Sequence, residues 1–444
     1  LPLEIAYHHK AQMTYPDTYY SRTVTDRKTR PPLSGEAECD IAIVGGGLAA
    51  LTTALQLARA GRFVAVLEAK TIGFGASGRN GGFVTPGFSA RSEAVSASVG
   101  ADAARALHHL SIEGVDFVRD IIDELAIADA RPRPGLISVL RYDGGDAFRR
   151  YVEETARDYG YELEYLETAA LRSVLRSQRY YQGLRDAKAF HIHPLNYLRA
   201  VAHEVERLGG RIFEASEVID CDLSGPQKKL RTVQASLRAQ HVVFATGGYT
   251  GPVLKRLRRA YLPIATYVMV SEAAPDLIAQ AVATTDAVGD NRRAGDYYRV
   301  VDDGKRLLWG GRITTRAAAP AVLARELRRE MVGTYPQLAG LRTELAWSGL
   351  MSYARHQMPQ IGQLQPGVWY CTAFGGHGLN TTAIGGKLVA EGILGVSDRY
   401  RMFAPFGLDW TGGAIGLAAA QLTYWKLQAQ DWWRERRAGE GVTT

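Results

Sequence analysis

Between Ile41 and Ala58 the chain carries no charge for eighteen residues, which on length alone could cross a bilayer. The order of residues argues otherwise. Ile41-Ala42-Ile43-Val44 is apolar at every position, as a strand covered on both faces is, and three glycines and an alanine-rich stretch follow. The pattern predicts a buried strand, a turn and a helix over Leu48 to Ala60, closed by Gly61. A second strand, Phe63 to Leu67, ends at Glu68. Helical spacing marks residues 91–125 and Leu195 to Leu208, the latter closed by Gly209-Gly210. Gly135 to Arg141 is a short strand, and Val242-Val243-Phe244 a buried one running into Ala245-Thr246-Gly247-Gly248. Tyr267 to Val270, Tyr297 to Val301 and Arg306 to Gly310 look antiparallel, the last two joined at Asp303-Gly304. Tyr370 to Phe374 is a further strand, with Asn380-Thr381-Thr382 as caps of a helix ending near Leu394.

Composition narrows the class. The 444 residues are 46% hydrophobic and 22% charged, an ordinary globular balance that excludes a disordered or fibrous chain. Length suggests roughly two to three domains. Cys39, Cys221 and Cys371 are scattered, so no disulfide framework or CxxC metal site is readable, no metal is expected, and a reducing, cytoplasmic setting is. The first residues, LPLEIAYHHK, lack the features of a secretory signal. Of 53 basic residues 43 are arginine, and the net charge is +7. The one compact cluster, Lys255 to Arg259, comes without a nucleic-acid-binding module, so nucleic acid is not an expected partner.

Glycine is the outlier, at 47 residues, and it falls in runs. Gly45-Gly46-Gly47-Leu48-Ala49-Ala50 is a GxGxxA form of the dinucleotide fingerprint. Gly45 permits the tight turn, Gly47 lets backbone approach a pyrophosphate, and Ala50 lets the helix pass close to the strand. The helix N-terminus faces the phosphates, and Glu68, 21 residues beyond Gly47, stands where an acid grips ribose hydroxyls. This motif alone does not separate NAD from FAD. Gly73 to Gly82, with five glycines in ten residues around Arg79-Asn80, reads as backbone laid against a flat ring system.

Gly75-Ala-Ser-Gly-Arg-Asn-Gly-Gly82, His191-Ile-His-Pro194, Ala245-Thr-Gly247 and Gly375-Gly-His-Gly378 occur in this order. Together they resemble the D-amino-acid oxidase superfamily of FAD enzymes, and within it the group of γ-glutamylputrescine, sarcosine-type and iminodiacetate oxidases. The similarity spans about residues 36–395. It implies an α/β fold in which a Rossmann-like FAD domain with a parallel sheet (1–90, 187–258 and 348–444) interleaves with an α+β substrate domain. That second domain (91–186 and 259–347) would cover the flavin with an antiparallel sheet. The resemblance implies FAD contacts from Gly45, Gly47, Leu48 and Ala49, from Glu68 at the ribose with Ala69 and Lys70, and from Val218 at the adenine. Ser77, Arg79, Asn80, Gly81 and Gly82 would follow, then Ala245, Thr246, Gly247, Gly376, His377, Gly378 and Leu379. Cys371 precedes the flavin loop rather than lying where some relatives attach flavin, so non-covalent FAD is expected.

The implied reaction is oxidation of a C–N bond by hydride transfer to flavin N5. The resulting imine hydrolyses to a carbonyl compound and an amine, and O2 is reduced to H2O2. Taken alone, His377 reads equally well as a structural histidine; the GGHG loop favours a cofactor contact. Arg355 and His356, in the segment Trp347 to Pro359, are the expected carboxylate-binding pair. Tyr267, Tyr298, Arg299 and Arg312 are further substrate candidates, Tyr267 and Arg355 also as catalytic residues beside His377. The expected substrate is a small carboxylated amine such as iminodiacetate or an N-substituted glycine, with a γ-glutamylputrescine-type amine as alternative. Leu422 to Arg437 sets Tyr424, Trp425, Trp432 and Trp433 beside Lys426, Arg434, Arg436 and Arg437. This favours a C-terminal helix packed on the FAD domain; the other reading is a peripheral-membrane dehydrogenase that uses a quinone. The oligomeric state is open.

Overall fold

The computed structural model describes residues 15–292, 295–315 and 320–440, less the side chains at 312–313 and 438–440. Two sheets organise it. In the first, Gly35–Val44 lies parallel between Ala235–Phe244 and Val64–Leu67, with Val44 level with Phe244 and Leu67. Ile41 to Val44 are buried on both faces, as the unbroken apolar run predicts. Arg211–Phe213 extends this sheet beyond Val64–Leu67, and Val368–Thr372 with Gln360–Gln365 extend it on the other side.

Helix Leu48–Arg59 follows the first strand, and Gly61 beyond it has φ +73°. Pro194–Arg207 and Leu379–Leu394 pack on it, and Ala101–Glu124 packs on Leu379–Leu394. These crossings are close because they use glycine. A Cβ on Gly386 would lie 2.8 Å from the Ala49 carbonyl oxygen, and one on Gly114 would collide with that of Asn380. The expected single helical run at 91–125 is two helices, Ser92–Val99 and Ala101–Glu124, divided at Gly100 with φ +84°. Leu379–Leu394 starts earlier than its expected caps. Gly378 heads it without a side-chain cap, and the Thr381 and Thr382 hydroxyls donate back to the carbonyls of His377 and Gly378.

The second sheet runs Thr343–Tyr353, Leu262–Ser271, Arg306–Thr314, Tyr297–Val301, Ala287–Asp290, Arg133–Val139, Gly183–His191, Phe83–Val84. Gly183–His191 and Thr343–Tyr353 belong to it whole and run across the expected boundaries at 187 and 348. One face packs under helix Pro320–Thr334 through Tyr267, Tyr298, Trp309 and Leu327. The opposite face, with Val268, Leu308 and Trp347, packs on Tyr19, Tyr20 and Leu195. The C-terminal helix Gly413–Glu440 packs across Leu262–Ser271 and Arg306–Thr314 of this second sheet, which corrects the expected packing on the nucleotide-binding side.

Candidate active site

The fingerprint turn is built as its sequence requires. Gly45 takes φ +109°, and a Cβ there would lie 2.7 Å from the Ala245 carbonyl oxygen, so the two strand ends meet backbone to backbone. Glu68 closes the turn: one carboxyl oxygen accepts from the Gly46 N–H at 2.6 Å, the other from the Lys70 N–H at 2.8 Å. Burial pushes this carboxyl up to about 7 against the pull of those two N–H groups. Ala215 and Ser216 donate to the carbonyls of Lys70 and Glu68, which brings Val218 to the same end of the sheet as Ala69 and Lys70. Gly47 heads helix Leu48–Arg59, and the Leu48 N–H is held by the Ser77 hydroxyl at 3.0 Å.

The glycine-rich loop at 73–82 is a junction between the two sheets. Its carbonyls are taken by side chains from elsewhere: Trp347 Nε1 donates to Arg79 at 2.9 Å, Tyr20 to Asn80 at 2.7 Å, and Arg299 Nε to Gly81 at 2.7 Å. Gly82 lies under the Ile192 carbonyl of the His191-Ile-His-Pro194 motif, whose oxygen also accepts from Arg299. Arg299 further donates to Tyr20 and to His191 Nδ1. Burial and the Arg299 charge depress His191 to about 3, so it stays neutral and can accept there. Arg79 and Asn80 turn inward as well. Arg79 donates to Tyr249 at 2.6 Å, and Asn80 holds the carbonyls of Ala76 and Ser77 and the N–H of Gly82.

Beyond Ala245, Thr246 and Gly247, the loop Gly375–Gly378 lies against Ser89 and Tyr353. The Gly376 N–H donates to Ser89 Oγ at 2.7 Å, and a Cβ on Gly376 would stand 3.0 Å from the Tyr353 hydroxyl. Burial pushes Tyr353 up to about 12. His377 follows, its Nδ1 shut off from solvent without a hydrogen-bond partner among the described residues, and burial lowers its basicity. Just past it, the uncapped N–H groups of Leu379–Leu394 present the positive end of a helix.

His377 forms one wall of a cavity of about 580 Å³ between the 85–91 loop, helices Ser92–Val99 and Ala101–Glu124, and the second sheet. Tyr297, Tyr151, Tyr159 and Tyr161 supply aromatic walls, and Arg91, Glu93 and Asp186 supply charge. Asp186 is engaged by Tyr161 and by the N–H groups of Lys188 and Ala189. Arg91 makes no ion pair among the described residues.

Of the expected substrate residues, Tyr267, Tyr298, Arg299, Arg355 and His356 all lie outside this cavity. Tyr298 is fully buried on the helix-covered face, stacked on Trp309 at 4.2 Å and hydrogen-bonded to Tyr180 and Tyr335. Tyr267 is 2% exposed in the same core. Arg299 is consumed by the junction just described. His356 accepts from the Met358 N–H and pairs with the Gly407 carbonyl, its ring against Phe406. Arg355 sits exposed in a turn and does not line the cavity. The side chain of Arg312 lies outside the described residues. Arg91, Tyr297, Tyr353 and Ser89 are what sequence reasoning passed over. Alternation along its strand sets Tyr297 opposite Tyr298 but does not say which of the two meets the cavity.

Comparison with known proteins agrees with this architecture: the chain belongs to the DAO family of FAD dependent oxidoreductases, which it matches over residues 40–392. It is 34% identical over 390 residues to gamma-glutamylputrescine oxidoreductase of Escherichia coli (strain K12), covering 87% of this chain and 91% of that one. Glycine oxidase from Geobacillus kaustophilus superposes with a TM-score of 0.70 at 20% identity, over 84% of this chain and 99% of that one. Iminodiacetate oxidase from Chelativorans sp. BNC1 superposes at 0.66 and 16% identity, over 80% and 96%. The chain is therefore an FAD-dependent oxidoreductase of the amine and amino-acid oxidase type.

Proposed function

We propose that this enzyme oxidises the C–N bond of a carboxylate-bearing amine of the γ-glutamyl-alkylamine kind, with FAD bound non-covalently. The observation that carries this reading is the cavity, with His377 and Tyr297 on one side and in its lining the guanidinium of Arg91, which has no ion pair among the described residues. A bidentate guanidinium is a natural partner for a substrate carboxylate, and Arg91 takes over the role expected of Arg355. The tyrosine walls suit an alkyl chain between carboxylate and amine, and similarity to a gamma-glutamylputrescine oxidoreductase supports the same class. A smaller substrate such as iminodiacetate or sarcosine loses the observation that favoured it, since Arg355 and His356 lie outside the cavity.

The residues present fit FAD. Glu68, with Ala69, Lys70 and the Val218 backbone, would hold the adenosine end, and Gly45, Gly47, Leu48 and Ala49 the pyrophosphate. Ser77, Arg79 to Gly82, Ala245 to Gly247 and Gly376 to Leu379 would line the rest, where glycines leave the backbone open to a flat ring. Bound there, the flavin supplies the two-electron acceptor that the side chains lack. The chain's own part is to orient the amine, exclude water with Tyr297 and Tyr353, and set the positive end of Leu379–Leu394 where negative charge develops. Cys371 is buried with its Sγ against Gly385, which supports non-covalent binding; acid precipitation should release the flavin into the supernatant. The three cysteines are free, in keeping with a reducing, cytoplasmic compartment.

Anaerobic bleaching of the flavin spectrum tests the substrate. γ-Glutamylputrescine should bleach it faster than putrescine, iminodiacetate or sarcosine, and Arg91→Ala should raise KM roughly tenfold to a hundredfold with flavin retained. Faster turnover of iminodiacetate or sarcosine, or an unchanged KM, removes the proposal. Dioxygen is the proposed acceptor, read out as H2O2 under air. A quinone is the second reading, favoured by the exposed tryptophans of the C-terminal helix.

A further inference from the structure

The chain's seven tryptophans divide sharply. Trp309, Trp347 and Trp369 are at most 3% exposed, whereas Trp410, Trp425, Trp432 and Trp433 are 44–60% exposed. The last three lie on helix Gly413–Glu440, along with Ile415 at 78% and Leu422 at 62%. This helix is inverted relative to an ordinary surface helix. Its inward side carries part-buried Leu417, Ala420, Tyr424 and Leu427 but is tied down by polar groups: Gln421 accepts from Thr314 and Thr315, and Glu435 accepts from Arg141 at 3.1 Å. Its outward side carries the large apolar groups and the exposed cations Lys426, Arg434, Arg436 and Arg437. Arg436 and Arg437 lie over the rings of Trp432 and Trp433, at 5.2 and 5.7 Å.

A second basic element adjoins the start of the helix. The Thr411 N–H donates to the Arg259 carbonyl at 3.0 Å, which seats the segment of exposed Lys255, Arg256 and Arg259 next to Trp410 and the approach to the helix. No helix among the described residues is long and apolar enough to cross a membrane. From these observations we propose that helix Gly413–Glu440, with the adjoining Lys255–Arg259 segment, docks the enzyme flat on an anionic phospholipid surface. Tryptophan is at home at the headgroup level, its ring apolar and its N–H wet. The guanidinium and ammonium groups around it meet lipid phosphates, while Asp431 and Glu435 are part-buried on the inner side. A second copy of the chain fits less well, because a two-fold interface on this face would set the same cations against each other.

The test is flotation of the full flavin-loaded enzyme with vesicles of phosphatidylcholine alone and of phosphatidylcholine with about 30 mol% phosphatidylglycerol. Binding should be confined to the anionic vesicles and weaken with added salt. Arg436→Ala/Arg437→Ala should lower partitioning roughly thirtyfold at low ionic strength. Trp432→Ser/Trp433→Ser should abolish it, and both variants should keep their flavin spectrum and turnover. Brominated lipid should quench tryptophan emission in the parent and not in the double serine variant. Equal binding to both vesicle types, no binding to either, or variants that bind like the parent would overturn the proposal. So would a dimer that dissociates on substitution of these tryptophans.

Discussion

Glu68 shows how much one side chain can carry. Both carboxyl oxygens are used within the fingerprint turn, on Gly46 and Lys70, yet burial holds its pKa near 7 rather than the ordinary 4.5. A raised carboxyl favours the protonated folded state. Between about pH 4.5 and 7 the unfolded chain has released this proton while the folded one still holds it, so stability falls as pH rises through that window. In protein stripped of flavin the effect should be on the order of 2 kcal/mol. Melting curves at pH 5 and 7 check it: the parent should lose more stability than Glu68→Gln over that interval, and equal losses would assign the slope to other groups. The acid itself was legible, because its distance from Gly47 is set by one strand, one turn and one helix. Tyr297 and Tyr298 were not. Alternation guarantees that neighbours on a strand point to opposite faces, but nothing local says which face meets the cavity. Tyr298 went to the buried core and Tyr297 to the cavity. Arg299 fell to the junction for the same reason, its four acceptors coming from three distant segments.

At the level of elements, the parts read correctly from sequence are those whose signals are local. The strand at Ile41–Val44, the glycine turn, helix Leu48–Arg59 and the left-handed stop at Gly61 follow one another without help from tertiary structure. Leu379–Leu394 is different, because its position is set by contact. Gly386 presses on Ala49, and the approach, not a capping side chain, places the helix N-terminus beside His377. Gly386→Ala tests this. The added methyl would meet the Ala49 carbonyl oxygen and the Thr52 Cβ, both at 2.8 Å, and neither can retreat without moving the fingerprint helix. A loss of about 1–3 kcal/mol is expected from overpacking. It should be accompanied by weaker flavin retention on gel filtration, since two helix N-termini are displaced together. Lost stability with flavin retained in full would place the strain outside the site.

At the scale of the whole molecule, the cavity is the feature that sequence could least reveal, because segments from Phe83 to His377 meet only after the two sheets interleave. The same interleaving ties the C-terminal helix to that cavity. Asp290 lines it, and Asp290 is also paired with Arg292 at 2.7 Å and Arg141 at 3.4 Å. Both guanidiniums reach Glu435 on the C-terminal helix, at 3.9 and 3.1 Å, and Arg292 further meets Asp296 and Glu330. Arg141 and Arg292 thus share four carboxylates, with half-exposed Arg179 a third cation 3.9 Å from Glu435; one of the acids, Asp296, is pushed up to about 6 by burial. Glu435→Gln leaves the two buried guanidiniums paired, because Asp290, Asp296 and Glu330 still neutralise them, and Arg179, which loses its ion pair, is half exposed to water. What is lost is the charged tie between helix and sheet, worth roughly 1–2 kcal/mol for a partly buried pair. Hydrogen exchange of the 413–440 amides should therefore quicken about tenfold. KM should rise a few-fold as Arg141 shifts against Asp290, with the flavin spectrum unchanged. Faster exchange with an unaltered KM would mean that the helix is tethered by Glu435 but that its position is not felt at the cavity wall.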